Sequence, residues 1–151
     1  MALVPWSPLK NGFLSGKYRR GTQVTDSART AFVGGPSEAD RLVIDTVAAV
    51  ADELETTSAA VALAWLRARP GTVVPILGAR RAEQLRANLA GLVTTLSADR
   101  IQRLDEISAP TLNYPAPMHG AQRAMLQFAG TTVDGEPSTV YPPLTASAVR
   151  Y

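Results

Sequence analysis

Two short segments have the character of buried strands, residues 2–6 (Ala-Leu-Val-Pro-Trp) and residues 72–77 (Thr-Val-Val-Pro-Ile-Leu), and helical patterns lie between them. Strand, helices, strand in that order predicts a parallel pair joined by a right-handed crossover. This constrains the fold more than any other feature, because a parallel sheet is normally covered on both faces and seldom stops at two strands. The chain is therefore expected to pair with something else or to be part of a larger repeating α/β architecture.

The elements around the strands follow from spacing. Residues 7–36 form a long loop punctuated by Pro8, Gly12, Gly16, Gly21, Gly34, Gly35 and Pro36; loops longer than about 15 residues usually carry function or disorder. Ser37 is the expected N-cap of a helix to about Leu54, with Val43, Val47, Val50 and Leu54 on one stripe. Thr57 or Ser58 caps a second helix to about Ala68, with Val61, Ala62, Trp65 and Leu66 inward, and Pro70-Gly71 stops it. After the second strand, Gly78-Ala79-Arg80-Arg81 turns into a third helix, about Ala82 to Leu92, whose expected buried face is Leu85, Leu89 and Leu92. Ser97 caps a fourth to about Ile107, with Ile101, Leu104 and Ile107 inward and Asp99–Arg103 as an outer i,i+4 pair. From Pro110 the texture changes: residues 110–151 hold six prolines and few periodic apolar positions. They are expected to form a proline-rich tail with one short helix near Gln122–Phe128, so that residues 1–109 and 110–151 divide the chain.

Composition narrows the function classes. With 151 residues, 46% of them apolar, the chain could bury roughly 70% of its unfolded surface as one domain. The absence of cysteine excludes disulfide staples and thiolate-ligated metal or redox centres; no metal site is expected. No apolar run approaches the ~20 residues that span a bilayer, and the N-terminus lacks the basic and apolar regions of a signal peptide. The expected compartment is the cytoplasm, with no membrane partner. A net charge of +2 without a long basic run, and nine aromatics in all, argue against nucleic acid as a partner, while leaving room for small anions at particular spots.

Two loops could supply such spots. Pro75 through Arg81 runs from a strand straight into a helix N-terminus, where free N–H groups and the helix dipole favour an anion. Gly78 permits close approach, Arg80 can grip a phosphate in a fork, and Gln84 and Asn88 follow one and two turns on as amide donors and acceptors. The competing reading is a loop of solvated arginines with Gln84 and Asn88 as ordinary surface residues. The other loop, Trp6 through Tyr18, leaves the C-terminal end of the first strand with a hydroxyl, two glycines and the chain's two lysines, Lys10 and Lys17. Ligands of α/β sheets gather at such strand ends. The spacing from Gly12 to Gly16 is too short for a nucleotide-binding P-loop, and an ordinary connecting loop fits these residues equally well.

Taken together, the two loops resemble the C-terminal part of the aldo-keto reductases. Trp6 through Tyr18 is similar to that family's W-S-P-L-x-x-G-x-L-[ST]-G-K-Y after its seventh barrel strand, and Pro75 through Asn88 to its P-I-x-G-A-R-x-x-x-Q-L-x-x-N after its eighth. The intervening helices and the helix from Ser97 also look like the family, so the likeness covers about residues 2–109. It implies a partial TIM (β/α)8 barrel, the last two β/α units plus a C-terminal tail, and an NADP(H) site at the barrel mouth. By that resemblance Ser7, Pro8, Leu9 and Lys17 would contact the ribose, nicotinamide side and pyrophosphate, and Trp6 would stack near the nicotinamide unless it is a core residue at the strand end. Gly78 and Arg80 would hold the 2′-phosphate, with Gln84 and Asn88 on the adenine side and Arg29 a further candidate for a phosphate. Ala87 stands where the family often has Glu, which weakens the expected grip on the adenine amino group or a ribose hydroxyl.

The family's catalytic Asp, Tyr, Lys and His lie on earlier strands, and none has a matching position here. Lys17, Tyr18, Asp26 and His119 supply the residue types but not the arrangement. Lys17 and Tyr18 belong to the cofactor loop and adjacent side chains tend to point apart; His119 has no visible orienting partner. No catalytic residue is therefore assigned. Three expectations follow. The chain is the NADPH-binding C-terminal part of a carbonyl reductase that takes a small aldehyde or ketone only in a complete barrel, with a complementary N-terminal chain. Alternatively it is a non-catalytic, self-associating binding module, or a truncated remnant without activity.

Overall fold

The computed structural model describes residues 2–22, 34–116, 130–133 and 135–137. The chain divides into two compact units, residues 1–109 and 110–151.

In the first unit, β1 (Ala2–Leu3) and β2 (Thr72–Val73) pair in parallel, Ala2 opposite Thr72 and Leu3 opposite Val73. The Val74 N–H donates to Leu3 O (2.9 Å), the Ile76 N–H donates to Pro5 O (3.1 Å), and Trp6 bridges Ile76. The regular strands are shorter than the expected segments 2–6 and 72–77. Pro5 and Pro75 explain the break, since a proline has no N–H to give to a ladder. The parallel register is nonetheless kept as far as Trp6 and Ile76.

Helix α1 (Glu38–Glu53) begins where the sequence places it, for a legible reason. The Ser37 Oγ accepts from the Asp40 N–H (3.1 Å) and the Asp40 carboxylate accepts from the Ser37 N–H (2.9 Å), a reciprocal capping box. Helix α2 (Ser58–Arg67) is capped by Thr57, whose Oγ1 accepts from the Ala60 N–H at 3.1 Å. Ser58, the other candidate cap, is buried instead. The core joins Val47, Val50 and Ala51 of α1 to Val61 of α2 and Leu104 of α4 (Ala98–Ser108), with Val43, Leu54 and Trp65 packed against it. Ala59, Ala60, Leu63 and Ala64 are buried as well, so α2 is enclosed on more sides than its expected stripe of Val61, Ala62, Trp65 and Leu66. Trp65 donates through Nε1 to Asp105 Oδ1 (2.7 Å), and Arg69 both pairs with that oxygen (2.9 Å) and lies 4.3 Å above the indole. This trio ties the end of α2 to α4.

Three expectations are corrected. The third helix, α3 (Ala82–Leu89), gives way to a 3₁₀ turn over Ala90–Leu92. The turn brings Gly91 so close to α2 that an added Cβ would lie 2.8 Å from Leu63 Cβ and 3.1 Å from Ala60 O. Leu85, Leu89 and Leu92 are not buried: they are 50%, 50% and 61% exposed, while Asn88 is buried. Helix α3 turns a face containing Asn88 inward, and no described element covers its leucine stripe. The Asp99–Arg103 pair does not form, because Arg103 (2.8 Å) and Arg100 (3.1 Å) both reach Glu53 on α1.

In the second unit, β3 (Thr132–Val133) and β4 (Glu136–Pro137) form an antiparallel hairpin, Val133 opposite Glu136, with Gly135 at φ 84° in the turn. The helix expected near Gln122–Phe128 lies outside the described residues.

Candidate functional site

The parallel ladder brings the two loops together at their roots. Because Trp6 bridges Ile76, the chain leaves the C-terminal ends of both strands side by side, as Ser7 on one strand and Leu77-Gly78 on the other.

The first loop folds back on itself through 3₁₀ turns across Lys10–Ser15, interrupted at Asn11 and Gly12. Ser7, Lys10 and Asn11 adopt left-handed backbone conformations, at φ 54°, 46° and 55°, which each cost a residue with a side chain on the order of 1 kcal/mol. Hydrogen bonds hold them there. The Ser7 Oγ donates to Asn11 Oδ1 (3.1 Å), the Asn11 N–H donates to Ser7 Oγ (3.0 Å), and the Lys10 N–H donates to Ser7 O (2.8 Å). The Ser7 hydroxyl proton is thus committed inside the loop, leaving its oxygen a lone pair for an incoming donor. Phe13 and Tyr18 anchor the loop, packing edge to face at 5.0 Å in a small cluster with Ile44 of α1.

The second loop is open. Gly78, Ala79, Arg80 and Arg81 are all exposed, and an added Cβ at Gly78 would meet nothing within 4 Å. The Arg80 N–H donates to Gln84 Oε1 (2.9 Å), so Gln84 closes the turn that leads into α3. Arg81 occupies the N-cap position and its side chain makes no capping bond, which leaves first-turn N–H groups without a side-chain acceptor.

The basic side chains of the first unit differ in whether a carboxylate neutralises them. Lys10, Arg19, Arg20, Arg69, Arg100 and Arg103 each pair with a carboxylate. Among the described residues Lys17, Arg41, Arg67, Arg80, Arg81 and Arg86 have no acidic partner, Arg67 donating instead to the Gly91 and Leu92 carbonyls. Arg80 and Arg81 therefore stand unneutralised beside a helix N-terminus, which can attract an anion.

The expected site residues divide accordingly. Trp6, 80% exposed, is not a core residue at its strand end. Trp6 and Ser7 adjoin the root of the Gly78–Arg80 loop, and Gln84 is tied to Arg80. Leu9 accepts the Gly12 and Leu14 N–H groups in the first loop. Pro8 instead lines a small apolar cleft of about 100 Å³ with Leu14, Val43, Val47 and Trp65 among the helices. Lys17 is exposed and follows Gly16, which lies against Ser58 of α2. Asn88 is buried on the inward side of α3, and Arg29 lies outside the described residues, as do Asp26 and His119. Asn11, which the sequence reading passed over, proves to be the partner that fixes Ser7; its place four residues after a serine in a glycine-containing turn was the available signal. Among the described residues no group of three or more His, Asp or Glu side chains could hold a metal ion, and no helix is long and apolar enough to cross a membrane.

Residues 1–109 match the model of the aldo/keto reductase family, and the chain belongs to that family. It is 34% identical over 107 residues to the uncharacterized oxidoreductase YrpG of Bacillus subtilis, covering 71% of this chain and 32% of that protein. A probable voltage-gated potassium channel subunit beta of Arabidopsis thaliana is 34% identical over 116 residues, 69% of this chain and 35% of that one. A putative aryl-alcohol dehydrogenase of Saccharomyces cerevisiae, YFL057C, is 29% identical over 133 residues, with 85% of this chain and 88% of that protein covered. The chain spans about a third of the length of the first two relatives.

Proposed function

We propose that the chain is the NADP(H)-binding C-terminal part of an aldo-keto reductase, its two loops being those that follow strands seven and eight of a TIM barrel. The observation that carries this reading is the parallel register that sets Ser7 and Gly78 at neighbouring strand ends. The residues present fit the cofactor. Arg80 and Arg81 are cations without acidic partners, Gly78 offers open backbone, and the α3 N-terminus lacks a side-chain cap. Arg80 would hold the 2′-phosphate, Lys17 and the Ser7–Leu9 segment the pyrophosphate and ribose, and the exposed Trp6 indole would stack beside the nicotinamide. Gln84 would act through the turn it closes. The cofactor would supply a hydride for a small aldehyde or ketone. The proton donor would come from strands outside this chain, whose own part is to bind and orient. A cytoplasmic setting and a complementary chain carrying the remaining strands belong to the same proposal.

A second reading, self-association as a binding module, draws on the exposed leucines of α3 and the open edges of β1 and β2.

Titrating the folded chain with NADPH and with NADH tests the first reading. Saturable binding that favours NADPH is the expected result, with Arg80→Ala weakening NADPH by about 1.5–3 kcal/mol and NADH far less. A folded chain that binds neither cofactor overturns the proposal.

A further inference from the structure

The strained turn at the root of the first loop is in contact with a carboxylate outside that loop. Asp40, in the first turn of α1, uses its two oxygens for two tasks. Its Oδ2 accepts from the Ser37 N–H (2.9 Å) and the Ser37 Oγ (2.7 Å), closing the helix cap, while its Oδ1 pairs with the Lys10 ammonium. The Asp40 side chain is only 14% exposed although Lys10 is 60% exposed, so the carboxylate is the fixed partner and the lysine the one that is held. Lys10 and Asn11 have positive φ, and Lys10 lies three residues after Ser7, whose carbonyl accepts its N–H. Two further pairs, Arg20–Asp45 (2.6 Å) and Arg19–Asp52, continue the contact along α1. They hold the far end of the loop, past Tyr18, whereas only the Asp40 pair reaches the turn that sets Ser7.

We infer that Asp40 is a positioning residue for the cofactor loop: by gripping Lys10 from the capped end of α1, it fixes the left-handed Ser7–Asn11 turn and keeps Lys10 away from the cofactor's phosphates. This rests on the NADP(H) reading above and goes beyond it, since Asp40 would touch no part of the ligand. The pair removes one of the loop's two lysines from phosphate binding, leaving Lys17 as the unpaired one. It also lowers the ordering that a ligand would otherwise have to impose on the loop.

The test is a double-mutant cycle in the full chain with Lys10→Met, Asp40→Asn and the double variant. Two readouts are followed: amide hydrogen exchange at Asn11 and Gly12, which needs no cofactor, and affinity for NADPH and NADH. Lys10→Met keeps the capping box, so it reports on the turn even if Asp40→Asn unsettles α1. Each single variant is expected to speed exchange at Asn11 and Gly12 several-fold and leave Val61 and Leu63 in the core unchanged. Each should weaken NADPH and NADH by the same factor, about 3–10, and the double variant should be no worse than either single one. Additive losses, or unchanged affinity despite faster exchange, would overturn the assignment, as would unchanged exchange in Lys10→Met. A wild-type chain that binds neither cofactor would instead overturn the NADP(H) reading and the positioning role with it, while the exchange data would still decide whether Asp40 orders the turn.

Discussion

At single residues, the two loops differ in what their geometry demands of each side chain. Gly78 has open space where a Cβ would be and no positive φ, so the fold itself does not require glycine there. Gly78→Ala is therefore expected to leave the unfolding free energy from urea titration unchanged within about 0.5 kcal/mol. If a pyrophosphate or 2′-phosphate comes close to that backbone, the same substitution weakens NADPH binding. A stable variant with undiminished NADPH affinity would remove Gly78 from the site.

Asp40 carries a second residue-scale prediction. Its hydrogen bond from Lys10, then that from the Ser37 hydroxyl, lowers the carboxyl from its ordinary 3.8 to about 2. A depressed folded-state value means that Asp40 contributes stability above the unfolded value and loses it as pH falls through the folded one. The contribution should be intact at pH 5 and decline between roughly pH 4 and pH 2. Its size is about 1–2 kcal/mol once the exposure of Lys10 is allowed for. Glu53 is lowered too, first by Arg103 and then by Arg100, but it is exposed and shared by every variant compared. Denaturant unfolding at pH 5 and pH 2.5 should therefore show a smaller acid-induced loss in Asp40→Asn than in the wild type. Equal losses would show that the Lys10 and Ser37 bonds do not discriminate between the charged and neutral carboxyl.

At the level of elements, Gly91 shows how tightly α2 is enclosed. An alanine there would place its Cβ 2.8 Å from Leu63 Cβ and near the Ala60 carbonyl, with backbone on one side and a buried leucine on the other. Gly91→Ala should cost about 1–3 kcal/mol by overpacking, seen as a lower urea midpoint at unchanged m-value. No loss would mean that the Ala90–Leu92 turn shifts freely, although the Arg67 guanidinium holds both the Gly91 and Leu92 carbonyls.

The same elements show which parts of the structure the sequence discloses. The starts of α1 and α2 were legible because local chemistry sets them: Ser37 and Thr57 satisfy first-turn N–H groups within three residues of themselves, whereas Ser97 stands at the N-cap of α4 without a side-chain cap bond. The stripe of Val43, Val47, Val50 and Leu54 was legible because it has a partner within this chain. The leucines of α3 have the same periodicity but no described partner, and periodicity alone does not reveal whether the facing surface is present. Arg103 likewise chose Glu53, 50 residues away, over Asp99 at four, a decision made by how α1 and α4 pack. The candidate site follows this division. The motifs of both loops were visible as strings, whereas the Ser7–Asn11 bonds and the use of Lys10 by Asp40 arise only when the first loop folds back and meets α1.

For the whole molecule, the outstanding fact is the apolar surface exposed among the described residues. Leu3, Val4, Val74 and Ile76 on and beside the strands are 52–57% exposed, and Leu85, Leu89 and Leu92 are at least half exposed. Two-stranded parallel sheets with bare edges and an apolar helix stripe are templates for association. On the reading proposed above, further barrel strands would cover this surface, and the chain alone would expose it to solvent or to other copies. Leu89→Lys separates the consequences, because half-exposed Leu89 contributes little to the core built from Val50, Val61 and Leu104. The variant is expected to unfold within about 0.5 kcal/mol of the wild type, to bind less of an apolar-surface dye, and to sediment with a smaller weight-average mass at the same concentration. A large loss of stability would mean that the leucine stripe packs within the monomer. Unchanged sedimentation with unchanged stability would show that this stripe does not drive association, and would leave the strand edges as the surface through which the chain meets a partner.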